Sequence, residues 1–188
     1  MQSQGNIRVV EMLRYLYQHT DENHTATVTD ITAYLKERGI QAVRQTVYAD
    51  LNALITAGFD IVIVKSTQNQ YFMGNRLFEY PELKMLADAV ASSKIISAKK
   101  SEALVQKLGC LTSIHQAEQL KGLASLSSRV KPGNEKVYYI IDSIHSAILE
   151  HRQIEFQYYE YTQTKEKILK HDGYRYLLNP YALEWKND

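Results

Sequence analysis

The chain has 188 residues, 45% hydrophobic and 23% charged, with a formal net charge of +1. Length and composition are those of a globular protein of one or two domains with a real core. They exclude a broadly cationic nucleic-acid binder: the first 80 residues hold seven Lys or Arg against eight Asp or Glu, so any phosphate-binding surface must be a local patch. The single Cys110 excludes an internal disulfide and fits a reducing cytoplasm. The start has no basic-then-apolar leader, and no apolar run is long enough for a membrane span. The expectation is a cytoplasmic protein with no membrane partner.

Residues Ile7 to His19 predict a first helix, with Ile7, Val10, Met12, Leu13, Leu16 and Tyr17 as its apolar stripe. Thr20 to Thr27 reads as a polar loop. Thr29 is the expected N-cap of a short second helix, with Asp30 in its first turn, where a negative charge suits the helix dipole. Ile31, Tyr34 and Leu35 form its buried side, and Gly39-Ile40 makes the next turn. Ala42 to Ala57 predicts a third helix, with Val43, Val47, Leu51, Leu54 and Ile55 turned inward and Gly58 as its stop.

The other side of the third helix carries Gln45, Tyr48, Ala49, Asn52 and Thr56, flanked by Arg44 and Thr46. Such a polar, acid-poor face suits phosphates and base edges in a major groove. It also suits an ordinary solvated helix. Two short helices before a longer one, with a Gly-containing turn between the second and third, make a helix-turn-helix arrangement. Two strand-like runs follow, Asp60 to Lys65 and Tyr71 to Met73, around the polar turn Ser66 to Gln70. A hairpin placed there is either a DNA-contacting wing or a plain solvated hairpin.

The run RQTVYADLNALITAGFDI resembles the recognition helix and first wing strand of bacterial transcriptional regulators of the WYL-domain family, which begin with a DeoR-like winged helix. The matching positions are Arg44, Thr46, Val47, Tyr48, Asp50, Leu51, Gly58 and Phe59. Gln45 and Ala49 stand where many relatives carry further Arg or Lys, which leaves fewer cationic contacts. The resemblance implies sequence-specific binding to double-stranded DNA, an operator, through Arg44, Gln45, Thr46, Tyr48 and Asn52. Lys36 and Arg38 would lie near the adjacent backbone, and Lys65, Gln68, Asn69 and Gln70 would place the wing.

Further along, Gly74-Asn75 ends the hairpin. Tyr80-Pro81-Glu82 opens a helix striped by Leu83, Leu86, Ala87, Val90 and Ala91. Ser97 is the expected cap of another helix, stopped at Gly109, and Ile114 to Leu123 forms a third. This stretch also resembles the family's helical connector, and its apolar surface suits a homodimer. Lys131 to Asn134 is a break. Val137 to His151 reads as a helix, with Ile140, Ile141, Ile144, Ala147 and Ile148 apolar. Strands are expected at Ile154 to Tyr159, Tyr174 to Leu178 and Tyr181 to Trp185, with a lysine-rich loop from Tyr161 to Gly173. Eight of the fourteen tyrosines fall between Tyr138 and Tyr181, on amphipathic strand faces or an aromatic ligand platform. The tail YLLNPYALEWKND resembles the start of a WYL domain, a small SH3-like or Sm-like β-barrel. The later strands, which supply that family's effector site, would lie past Asp188. The strands present could not close a barrel and would leave an open edge.

No catalytic, cofactor or metal constellation is legible. Cys110 and His115 fall off one helical face, and Cys110 reads as a small core residue. There is no metal-ligand spacing and no phosphate-cradling glycine motif. Asp142 and Glu150 read as solvated acids. Lys165, Lys167 and Lys170 form a basic loop that is either solvated or turned toward an anionic effector. The expected fold class is α+β, mainly α. The winged helix-turn-helix occupies residues 1–78, the helical connector 79–133 and an incomplete WYL domain 134–188. The expected function is transcription regulation through DNA, not catalysis, with an unknown effector. The alternative is a winged-helix module that binds protein instead of DNA.

Overall fold

The computed structural model describes residues 2–125, 131 and 136–184. The fold is α+β and mainly α, with small antiparallel sheets. The helices are α1 (Gln2–His19), α2 (Val28–Glu37), α3 (Arg44–Thr56), α4 (Tyr80–Ser92), α5 (Ala98–Gly109), α6 (Ile114–Ser125) and α7 (Val137–Leu149). The strands are β1 (Ala26–Thr27), β2 (Ile61–Val64), β3 (Gln70–Met73), β4 (Ile154–Phe156), β5 (Tyr159–Tyr161), β6 (Lys167–Leu169) and β7 (Tyr176–Leu178). The chain divides into two compact units, one built on residues 2–92 and 99–125, the other on 93–98, 131 and 136–184. The expected break at Lys131 to Asn134 lies, apart from Lys131, outside the described residues.

In the first unit α1, α2 and α3 pack around Met12, Leu16, Ile31, Leu35, Val47 and Leu51, all at most 1% exposed. Full burial of each such side chain stabilises by about 1.5–3 kcal/mol. Val9, Met12, Leu13 and Leu16 form the core side of α1. Ile7 and Val10, expected in that stripe, are instead half exposed, because they fall on other sides of the helix at 100° per residue. The cap of α2 is Thr27, not Thr29. Thr27 ends β1 in an extended conformation, and Asp30 stands three residues on. The Asp30 amide donates to Thr27 Oγ1, and the Asp30 carboxylate accepts from the Thr27 amide, a capping box. Part of the expected polar loop is thus the strand β1, paired through Ala26↔Tyr71 and Thr27↔Gln70.

Two helices end the same way. Gly39 (φ +74°) and Gly58 (φ +94°) take the left-handed conformation after α2 and α3. The amides that follow, on Ile40 and Phe59, reach back to Leu35 and Leu54 carbonyls, and those of Gly39 and Gly58 to Lys36 and Ile55. These are two Schellman motifs. At the other end of α3, Val43 is the cap residue and lies off the helical face, so it is exposed where burial was expected. The sheet order is β1-β3-β2, with Ile61↔Met73 and Val64↔Gln70 in register. Gly74 closes the hairpin by donating its amide to the Asp60 carbonyl at 2.8 Å. A Cβ there would lie 2.6 Å from Asp60 Oδ2, so only glycine fits without displacing a neighbour.

Helices α4, α5 and α6 share a second core of Leu83, Ala87, Val105 and Leu120. Leu86, expected in the stripe of α4, is exposed. Cys110 is exposed rather than buried, because Gly109 takes the inward position and leaves Cys110 one residue past the helix end. The two cores meet at the end of α1. Thr20 accepts the Met73 amide on its hydroxyl and the Arg76 guanidinium on its carbonyl. The Tyr17 hydroxyl donates to the Leu111 carbonyl.

In the second unit α7 is followed in the chain by two separate two-stranded sheets, β4–β7 and β5–β6. The single strand expected over Ile154 to Tyr159 is two strands that take different partners, parting at Gln157-Tyr158. The Gln157 side chain donates to the Gly173 carbonyl at 2.6 Å, which fixes that parting. The lysine-rich loop is largely a hairpin: Lys167 begins β6, and Lys165 turns the chain at φ +62°. Residues 181–184 form no strand, and Trp185 lies outside the described residues. Ala147 is the one buried residue of α7, and the apolar Ile140 is exposed. No described helix is long and apolar enough to cross a membrane.

Candidate nucleic-acid interface

The fold turns one side of α3 outward because Val47, Leu51 and Leu54 hold the other in the core. The outward ridge carries Gln45, Tyr48, Ala49 and Asn52, with Thr56 at its end, all exposed. Thr46 is half-buried beside it. Asp50 is withdrawn from this ridge. Its carboxylate accepts from Arg8 Nε at 2.6 Å and from Arg8 Nη2 at 3.2 Å, a two-pronged pair that pins α3 to α1. The ridge is therefore free of acid by packing as well as by composition.

Arg44 sits in the first turn of α3, and its Nη2 donates to Thr29 Oγ1 of α2 at 2.7 Å. This draws the guanidinium into the seam between the two helices. The start of α3 has no side-chain cap and no acidic residue in its first turn. An uncapped helix start and a neighbouring cation together favour an anion such as a phosphate.

The other expected contacts divide. Lys36 is exposed on α2. Arg38 is held back: it pairs with Glu11 at 3.2 Å and lies 3.6 Å over the Tyr34 ring. Lys65 and Gln68 are exposed at the β2–β3 tip. Gln70 begins β3, and its side-chain oxygen accepts from Thr25 Oγ1 at 2.7 Å. Asn69 is exposed at the same tip. The structure thus brings Gln45, Tyr48 and Asn52 onto one face, with Arg44 beside it at the helix start, and gives Arg38 and Gln70 structural partners. Sequence reading missed Thr29 as the partner of Arg44 and Arg8 as the partner of Asp50. Opposite charge on Arg8 and Asp50 was the only available signal, and it names no pairing.

Asp142 is exposed, and Glu150 pairs with Arg152. Lys170 pairs with Glu160 at 3.0 Å, and Lys167 lies 3.6 Å over the Tyr159 ring. Among the described residues, no group of three or more His, Cys, Asp or Glu could hold a metal ion. An open groove of about 770 Å³ runs beside Ile7, Arg8, Glu11 and Arg38, with Gly39 to Gln41 at its end. The Glu11–Arg38 ion pair lies in its wall. Comparison with models of known protein families, with curated proteins and with solved structures matches none of them.

Proposed function

We propose that this chain is a sequence-specific DNA-binding regulator of transcription. The N-terminal part is read as a winged helix-turn-helix: α2 and α3 are the helix pair, and the β2–β3 hairpin is the wing. The observation that carries the reading is the acid-free polar ridge of α3, exposed along its length and headed by Arg44 at an uncapped helix start. In this reading the ridge lies in a major groove, Arg44 and Lys36 meet phosphates, and Lys65 and Gln68 bring the wing to the backbone. The second unit is read as the opening of a WYL-type sensory barrel, which would shift DNA affinity by linkage between two sites. The protein would work in the cytoplasm as a homodimer, without catalysis.

Fluorescence anisotropy against duplex DNA from upstream of its own gene tests this. The expected result is binding that exceeds a scrambled duplex and weakens linearly with log salt. Arg44→Ala should lower affinity for all sequences and reduce the salt slope by about one. Absence of binding by a folded sample at about 50 mM salt would overturn it.

The near balance of charge in the first 80 residues favours a second reading, a winged helix that docks protein. On that reading Arg44→Ala changes no DNA affinity, because there is none to change.

A further inference from the structure

We infer that the α3 ridge reads A·T base pairs in the major groove, with Gln45 and Asn52 on adenines and Ala49 against a thymine methyl. This rests on the DNA-binding reading above and goes on to the sequence class of the site. Guanine is read mainly by the paired donors of Arg or Lys, and adenine by the amide of Asn or Gln. Arg44 is the only cation in α3. Its guanidinium is drawn to Thr29 in the seam between α2 and α3, which turns it toward a backbone phosphate rather than along the ridge. What remains on the ridge is two amides seven residues apart, Gln45 and Asn52, which fall on one side of the helix about two turns apart. Each can donate its amide N–H to adenine N7 and accept the adenine N6–H on its amide oxygen, the paired contact that amides allow. Between them lie Tyr48 and Ala49, which carry no cation. The Ala49 methyl offers the apolar contact that distinguishes thymine. Asp50, the residue that could have accepted from cytosine, is held by Arg8 at 2.6 Å and is absent from the ridge. The chemistry left outward is thus that of adenine and thymine.

Selection of the intact chain on a random duplex library tests this. The expected product is a half-site dominated by A·T pairs. Replacing its adenines with 7-deazaadenine, which removes the N7 acceptor and leaves the minor groove unchanged, should weaken binding about tenfold or more per contacted base. Gln45→Ala and Asn52→Ala should each relax selection at one position while keeping the salt slope. Arg44→Ala should keep the selected sequence and lower affinity throughout. A G·C-dominated site, or an A·T site indifferent to 7-deazaadenine and to both amide variants, overturns the inference and leaves the DNA-binding reading intact. Failure of a folded sample to retain any duplex overturns both.

Discussion

Ser113 donates its hydroxyl hydrogen to the carboxylate of Asp21, a residue 92 positions earlier and 1% exposed. The other oxygen of Asp21 accepts the amides of Asn23 and His24, both at 2.9 Å, and faces the His24 ring nitrogen at 2.8 Å. His24 in turn stacks on His115 with ring centroids 3.7 Å apart. The pair therefore joins the end of α1 to the start of α6. Asp21→Ala would strand the Ser113 hydroxyl and the Asn23 amide, while the His24 amide keeps the Asp21 backbone carbonyl at 3.1 Å. Leaving such donors without a partner costs about 1–3 kcal/mol. The expected outcome is a lower urea midpoint with an unchanged slope, and Ser113→Ala should lose less because one acceptor remains served.

The same carboxylate gives an acid dependence. Burial pushes Asp21 up, but the hydrogen bonds from Ser113, His24 and the Asn23 amide outweigh it and hold the group below its ordinary value of 3.8. A depressed folded value means that the unfolded chain takes up the proton first. The stabilisation is present in full above the ordinary value and disappears as pH falls through the folded one. Urea unfolding at steps below pH 5 should show this loss in the native chain, and Asp21→Asn should flatten that part of the curve. An unchanged curve in the variant would assign the acid loss to other groups.

His19 acts in a higher window. Burial lowers its value below 6.5, and the nearby charges of Arg38 and His115 lower it further. The ring stacks on Tyr15 at 5.1 Å and meets the edge of Tyr34 at 5.7 Å. The neutral ring is the folded form, so stability should be full above pH 6.5 and decline as pH drops through the folded value. A proton-NMR titration should place His19 below the ordinary histidine midpoint. His19→Phe should reduce the loss of stability between pH 7 and pH 5, and a variant with the same slope would refute the assignment.

The helices of the first unit were legible in sequence because period and stop signals coincided. Val47, Leu51 and Leu54 repeat at helical spacing, and Gly39 and Gly58 stand where a left-handed residue is needed. The two-residue strand β1 was not legible, since a pair of residues has no period and becomes a strand only by pairing with Tyr71 and Gln70. The cap shifted from Thr29 to Thr27 for the same reason, because β1 makes Thr27 extended. On the candidate interface, the exposed ridge followed from composition. The fate of its charges did not: Arg44–Thr29 and Arg8–Asp50 are contacts across 15 and 42 residues. In the second unit the alternation of IEFQYY was visible, but the parting of β4 from β5 depends on Gln157 reaching Gly173. That contact has no local sequence signature.

Gly58 offers a test of the α3 terminus. Its φ of +94° is one that residues with a Cβ rarely adopt, although no atom would obstruct the added methyl. Gly58→Ala should therefore cost about 1–2 kcal/mol through backbone strain alone. Thermal unfolding should show a lower midpoint with native helicity retained below it. Gly39→Ala should behave alike, because Gly39 has the same kind of conformation and the same open surroundings.

The Arg8–Asp50 pair connects stability to the ridge. Both side chains are largely withdrawn from solvent, at 19% and 13% exposure. Removing one partner leaves the other charge part-buried without compensation, whereas removing both relieves it. Arg8→Ala and Asp50→Ala should each destabilise, and the double variant should lose less than the sum, with a coupling of about 0.5–3 kcal/mol. Asp50→Ala also frees Arg8 and removes the tie that sets the roll of α3 against α1. If the ridge reads bases, that variant should lose discrimination between selected and scrambled duplexes at a temperature where it remains folded. Full discrimination together with the measured loss of stability would confine the pair to holding the fold.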